Sequence, residues 1–197
     1  MKQKKKSPIK DKPLRYAGQS LDERINKLIN EDAVPYLMAT FLIVYLAGYE
    51  WWRYFSNPPP FPKTVTFVAV MFFLFCVYRL RKILKEIKAI KLGRDGERAV
   101  GQYLENLREN GHRIFHDLVG DNFNLDHVII FRKGIYVIET KTYSKPAKGE
   151  AKIGFDGERL TIKDLWVQTK PITQVNAASN WLKNIQAVRV RFTVCCQ

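Results

Sequence analysis

The chain has 197 residues and a formal net charge of +14, from 33 Lys and Arg against 19 Asp and Glu. That length holds one ordinary domain with appendages, and the basic excess points to an anionic partner, either nucleic acid or an anionic membrane face. Three cysteines, Cys76, Cys195 and Cys196, exclude a disulfide framework and put the folded part in a reducing compartment.

Residues 1–33 read as a basic cytoplasmic tail, disordered through Pro13. Two uncharged apolar runs follow, residues 34–49 and 64–78. Each falls a little short of the ~20 residues that cross a bilayer core. Trp51, Trp52 and the flanking Lys63, Arg79 and Arg81 extend them by snorkelling. Between them, SNPPPFPK (56–63) is too rich in proline to continue a helix. Residues 34–78 are therefore expected to form a transmembrane helical hairpin. The runs lack the polar stripe of a soluble core helix, and they start too late for a signal peptide. Nine basic residues precede the first run and seven lie in 79–94, whereas the loop side holds only Arg53 and Lys63. The positive-inside rule then places both termini in the cytoplasm, and much of the charge is topological. In 79–92, RLRKILKEIKAIKL, one helical face carries Leu80, Ile83, Leu84, Ile87 and Ile90 and the other mostly Lys and Arg. This is a basic amphipathic stalk, lying on anionic headgroups or solvated.

Residues 93–197 read as a soluble α/β domain. Glycines at 93 and 96 break the stalk pattern, and a helix is expected from about Asp95 to Asn110, with Val100, Tyr103, Leu104 and Leu107 inward and Asn110-Gly111 as its stop. HRIFHDLV, NLDHVIIF and GIYVIETKTY are strands, the last two joined by a turn at Arg132-Lys133-Gly134. Short strand candidates lie at 151–155 and 159–163. A helix opens at Pro171 with Ile172, Val175, Ala178, Leu182 and Ile185 inward, and VRVRFTV closes the order α-β-β-β-α-β.

Successive strand residues face opposite ways, so Glu139 and Lys141 project on one side and Thr140 on the other. Hairpin pairing brings Asp126 near Glu139. Two carboxylates that close repel unless a cation lies between them, and hard oxygen ligands suit Mg²⁺ or Mn²⁺. The nearby lysine can orient or deprotonate a water, or stabilise charge on a phosphorane, which together make a phosphodiesterase constellation. Glu-x-Lys alone is a common surface pair. Asp126 upstream, Glu97 on the preceding helix and Gln174 on the following one lift it above that background.

Taken together, GRDGERAV, NLDHVII, GIYVIETK and PITQVNAASNWL resemble the nuclease-related domain called NERD, a branch of the PD-(D/E)xK restriction-endonuclease-like fold, over residues 93–190. The resemblance implies a restriction-endonuclease-like core acting on nucleic acid, with Asp126 and Glu139 as metal ligands and Lys141 as the catalytic lysine. It also implies Glu97 as a helix-borne acid bridging to Lys141 or to a second metal, and Gln174 as the polar position of the later helix. Such domains are often joined to membrane helices. The expected activity is metal-dependent hydrolysis of DNA or RNA at the cytoplasmic face of a bilayer. The alternatives are an inactive nucleic-acid-binding or adaptor module tethered to the membrane, and a lipid-binding protein acting through its basic stalk. Two features depart from the family: Lys170 stands where an acid is usual, and the chain stops at Cys195-Cys196-Gln197, the ending expected of a truncated or frameshifted product. His127 is expected to be a packed core histidine. His112 and His116 lack zinc spacing, and Asp117 and Asp121 read as turn and strand-end residues, either of them able to supply a minor metal contact.

Overall fold

The computed structural model describes residues 13–56, 61–120, 123–143, 152–156, 159–162, 166–186 and 190–196. Most of the tail, the centre of the proline-rich loop and Asp121 lie outside them. The chain forms two compact units, Ser20–Leu92, and Gly93–Gln197 together with Met1–Gln19.

In the first unit α1 (Gln19–Lys27) passes through a π-helical stretch (Leu28–Ala33) into α2 (Val34–Ser56), and α3 (Pro62–Glu105) begins after the loop. α2 and the first part of α3 run antiparallel. Tyr36 meets Phe75 edge to face and accepts a 3.0 Å hydrogen bond from Arg79 Nε, while Trp51 Nε1 donates to Thr66 Oγ1 at 2.8 Å. Along α3 the buried residues Ala69, Cys76 and Ile83 recur every seventh position, the spacing of a helix–helix seam. A pair of helices has only that one seam to bury. α2 accordingly has no buried residue, and Phe41, Tyr45, Phe67 and Phe73 face outward. The continuous helical stretch Gln19–Ser56 is long and apolar enough to cross a membrane.

The stalk differs from expectation. Ile83 and Ile87 pack with Ile25 and Ala33, flanked by Leu28, Leu80 and Ile90. α1 thus covers the apolar face that was expected to meet headgroups or water. Leu84, one residue round the helix from Ile83, stays 60% exposed.

Gly93 and Gly96 do not break α3. A glycine inside a helix costs only about 1 kcal/mol relative to alanine, and Gly96 has a packing reason to be there. A Cβ at position 96 would stand 1.8 Å from Thr142 Oγ1. α3 therefore runs to Glu105 and tightens into a 3₁₀ stretch, Asn106–Asn110. Gly111, left-handed at φ 79°, caps it, its N–H bonding the Arg108 carbonyl at 2.9 Å. Val100 and Leu104 are buried as expected, but Tyr103 is 73% exposed, because the sheet beneath covers a narrower face of the helix.

The strands follow as β1 (Arg113–Val119), β2 (Asn124–Phe131) and β3 (Gly134–Lys141). A small antiparallel sheet comes next, β4 (Ile153–Phe155), β5 (Leu160–Ile162) and β6 (Trp166–Gln168), of which β6 was not foreseen. α4 (Lys170–Gln186) and β7 (Val190–Cys196) complete the unit. The main sheet has the order β1-β2-β3-β7, antiparallel except for β3 with β7, which α4 connects. Alternate strand residues feed two cores. Ile114, Ile129 and Ile138 pack with Val100 and Leu104 of α3, while Val128, Ile135 and Val137 pack with Val175, Ala178 and Leu182 of α4. A sheet buried on both faces needs apolar residues at both parities, which explains the near-continuous runs in β2 and β3.

Candidate functional site

The β2–β3 hairpin turns on two residues, Arg132 and Lys133, and stays paired from Phe131↔Gly134 to His127↔Ile138. The next step sets Asp126 opposite Glu139, and there the side chain replaces the backbone: Asp126 Oδ2 accepts the Thr140 N–H at 2.6 Å. β3 continues alongside β7 as far as Lys141↔Cys196. The acids thus stand where the recorded β2–β3 pairing ends. Glu139 is 7% exposed, and Lys141 Nζ donates to its Oε1 at 2.6 Å.

Burial first, then the charges of Asp126, Asp117 and Glu139, push Glu97 up to about 8, with Lys141 opposing. Asp126 rises to about 7, again through burial first and the charge of Glu139 next; the Thr140 N–H and Lys141 oppose the rise. Burial would lower Lys141, but the hydrogen bond and charge of Glu139, with Asp126 and Tyr143, raise it, so it stays a cation. The structure therefore brings Asp126, Glu139, Lys141 and Glu97 within electrostatic reach of one another. Gln174 is not among them; it is exposed on α4, and no hydrogen bond or ion pair joins it to these acids among the described residues.

Asp117 joins the cluster, where the sequence reading allowed it only a minor metal contact. It is neither turn nor strand end: it lies inside β1, 1% exposed, with φ 49°, and its charge acts on both Glu97 and Asp126. Nothing in RIFHDLV signals a left-handed aspartate.

On the α3 side, His116 Nε2 lies 2.6 Å from Glu105 Oε1, and its Nδ1 lies 2.8 Å from His127 Nδ1. His127 is fully buried, as expected of a core histidine, and is pushed down to about 3 by burial first and His116 second. It is neutral at physiological pH.

Among the described residues no group of three or more His, Cys, Asp or Glu is assembled closely enough to hold a metal ion. The donor chemistry nevertheless suits a hard divalent cation. Asp126, Glu139, Glu97 and Asp117 offer carboxylate oxygens, and a cation would offset both the burial that chiefly raises Glu97 and Asp126 and the repulsion that adds to it.

Residues 92–195 match the family model described as Nuclease-related domain, NERD, over just over half of the chain. The chain belongs to the NERD family. No curated protein and no solved structure matches it. The NERD match takes in Glu97, Asp117, Asp126, Glu139 and Lys141, and it ends within β7. The segment ahead of α1 falls outside the match yet packs within the same compact unit as the NERD domain.

Proposed function

We propose that this NERD protein is a membrane-anchored, divalent-metal-dependent nuclease with a restriction-endonuclease-like core, hydrolysing phosphodiester bonds of DNA or RNA at the cytoplasmic face. The observation that carries this is the meeting of Asp126, Glu139 and Lys141 where β2 and β3 stop pairing, with Glu97 beside them. Asp126 and Glu139 would hold Mg²⁺ or Mn²⁺. The cation would supply Lewis acidity at the scissile phosphate and a bound water of lowered pKa. Lys141 is held as an ammonium by Glu139, which suits it to stabilising negative charge on the phosphate rather than to taking a proton. Thr140 N–H fixes the Asp126 carboxylate, so that its orientation does not depend on a flexible side chain.

The anchor is a hairpin of α2 and the first part of α3. Outward aromatic and aliphatic side chains cover both helices, and basic residues crowd the ends away from the loop. The positive-inside rule places both termini in the cytoplasm.

The test uses the full chain in detergent with labelled DNA and RNA and Mg²⁺ or Mn²⁺. Cleavage is expected, and it is lost in Lys141→Ala and Asp126→Asn; the asparagine keeps an acceptor for the Thr140 N–H. Undiminished cleavage in either variant refutes the mechanism. A second reading, an inactive nucleic-acid-binding adaptor, draws support from the unassembled ligand group. It predicts salt-dependent binding without turnover, because phosphate contacts release counterions.

A further inference from the structure

Residues 13–18 precede α1, yet they belong to the compact unit that carries the NERD domain. The Gln19 N–H donates to the Tyr16 carbonyl at 3.2 Å, closing a turn in which Gly18 has φ 74°. The turn is seated closely. A Cβ on Gly101 would stand 2.7 Å from the Ala17 Cβ, and one on Gly18 would stand 2.9 Å from Arg94 Cγ. The Arg98 guanidinium lies 5.8 Å from the centre of the Tyr16 ring, a cation–π distance.

This seat delivers Arg15 to Asp117 across 102 positions of sequence. Arg15 Nε and Nη2 stand 2.8 and 2.7 Å from Asp117 Oδ2, with the Arg15 side chain 25% and the Asp117 side chain 2% exposed. Asn124 Nδ2 approaches the other carboxylate oxygen at 3.4 Å. The left-handed backbone at Asp117 interrupts the alternation of β1, since Phe115 and Leu118 both pack against the α4 core. The aspartate is thereby held out of step with its own strand, and a non-glycine residue keeps such a conformation only where its surroundings impose it.

We propose that Arg15 is a positioning residue of the catalytic cluster: its two nitrogens hold the Asp117 carboxylate in place beside Glu97 and Asp126 and offset its charge, so that the nuclease site is complete only with the segment ahead of α1. The proposal rests on the nuclease reading above and adds a component that the NERD match does not cover.

The test compares the unaltered full chain in detergent with Arg15→Ala, Arg15→Lys and Asp117→Asn. Mn²⁺ affinity is read by electron paramagnetic resonance, and kcat and KM are measured on labelled oligonucleotides. Loss of an outer partner of a metal site typically costs about 10–100-fold in affinity or activity. Arg15→Ala is expected to lose roughly tenfold or more in Mn²⁺ affinity and in kcat with KM little changed, and Arg15→Lys to recover part of both. A folded Arg15→Ala chain with unaltered Mn²⁺ affinity and kcat overturns the proposal, and so does a gain in activity, which would make Arg15 a plug. If Arg15→Ala does not fold, Asp117→Asn decides, because it keeps the shape and an acceptor for Arg15; full affinity and kcat there overturn the proposal as well. An unaltered chain that neither binds Mn²⁺ nor cleaves refutes the nuclease reading itself, and the proposal falls with it.

Discussion

Glu97 and Asp126 tie the stability of the NERD unit to pH in the direction opposite to an ion-paired carboxylate. On folding, Glu97 rises from 4.5 to about 8 and Asp126 from 3.8 to about 7, burial being the largest cause of each. The native state keeps protons that the unfolded chain has already released, so stability falls as pH climbs from about 5 through about 8. A tenfold change in proton affinity is worth about 1.4 kcal/mol, so Glu97 contributes roughly 4 kcal/mol of pH dependence between about pH 5 and about pH 9. Asp126 contributes somewhat less, and the two do not add in full, because the charge of Asp126 is itself among the causes that raise Glu97. The assay is amide hydrogen exchange of the β2 and β3 peptides in the metal-free full chain, corrected for intrinsic exchange at each pH. Protection is expected to fall by roughly a thousandfold across that window. Glu97→Gln should flatten most of the dependence. Mg²⁺ added at high pH should restore protection, with about 2.7 kcal/mol recovered when the ion is at about a hundred times its Kd. Protection that is flat or rising in the metal-free chain refutes the buried-acid account. Indifference to Mg²⁺ at high pH refutes the cation-binding part alone.

Two further outcomes check the packing. Gly96→Ala relieves about 1 kcal/mol of helix cost but drives a Cβ to within 1.8 Å of Thr142 Oγ1, and overpacking of that kind costs about 1–3 kcal/mol or more. A net loss of stability is expected in chemical denaturation, partly recovered by Thr142→Ala in the same chain; strict additivity of the two changes would show that they do not touch. In a chain freed of its native cysteines, Leu84→Cys should react with a soluble maleimide much faster than Ile83→Cys, since Leu84 is 60% and Ile83 7% exposed. Equal rates would mean that α1 does not cover the seam.

Much of the NERD unit was legible because its signals repeat. Val175, Ala178 and Leu182 recur at helical spacing over several turns, so one face of α4 stands out whatever lies beneath it. The meeting of Asp126 and Glu139 was legible because any hairpin of these two strands brings them near; the sequence set the turn at Arg132-Lys133-Gly134, and the pairing of Phe131 with Gly134 shortens it to two residues and fixes the register. Gly96 misled for the opposite reason. Local propensity treats it as a helix breaker, whereas the missing Cβ is what lets Thr142 approach. The covering of Ile83 and Ile87 by Ile25 was invisible for a related reason: an amphipathic face announces that it will be buried, not what will bury it.

By itself the sequence determined the apolar segments, the chain order of the main helices and strands, the β2–β3 hairpin and the family, because each follows from steric periodicity and from motifs carried by neighbouring residues. Tertiary structure alone decided that Asp117 turns out of step with its strand, that Arg15 crosses 102 positions to meet it, and that Glu97 and Asp126 hold their protons towards neutral pH. Those outcomes depend on burial and on charges brought together from distant segments, and such energies take their values only once the chain has closed around them.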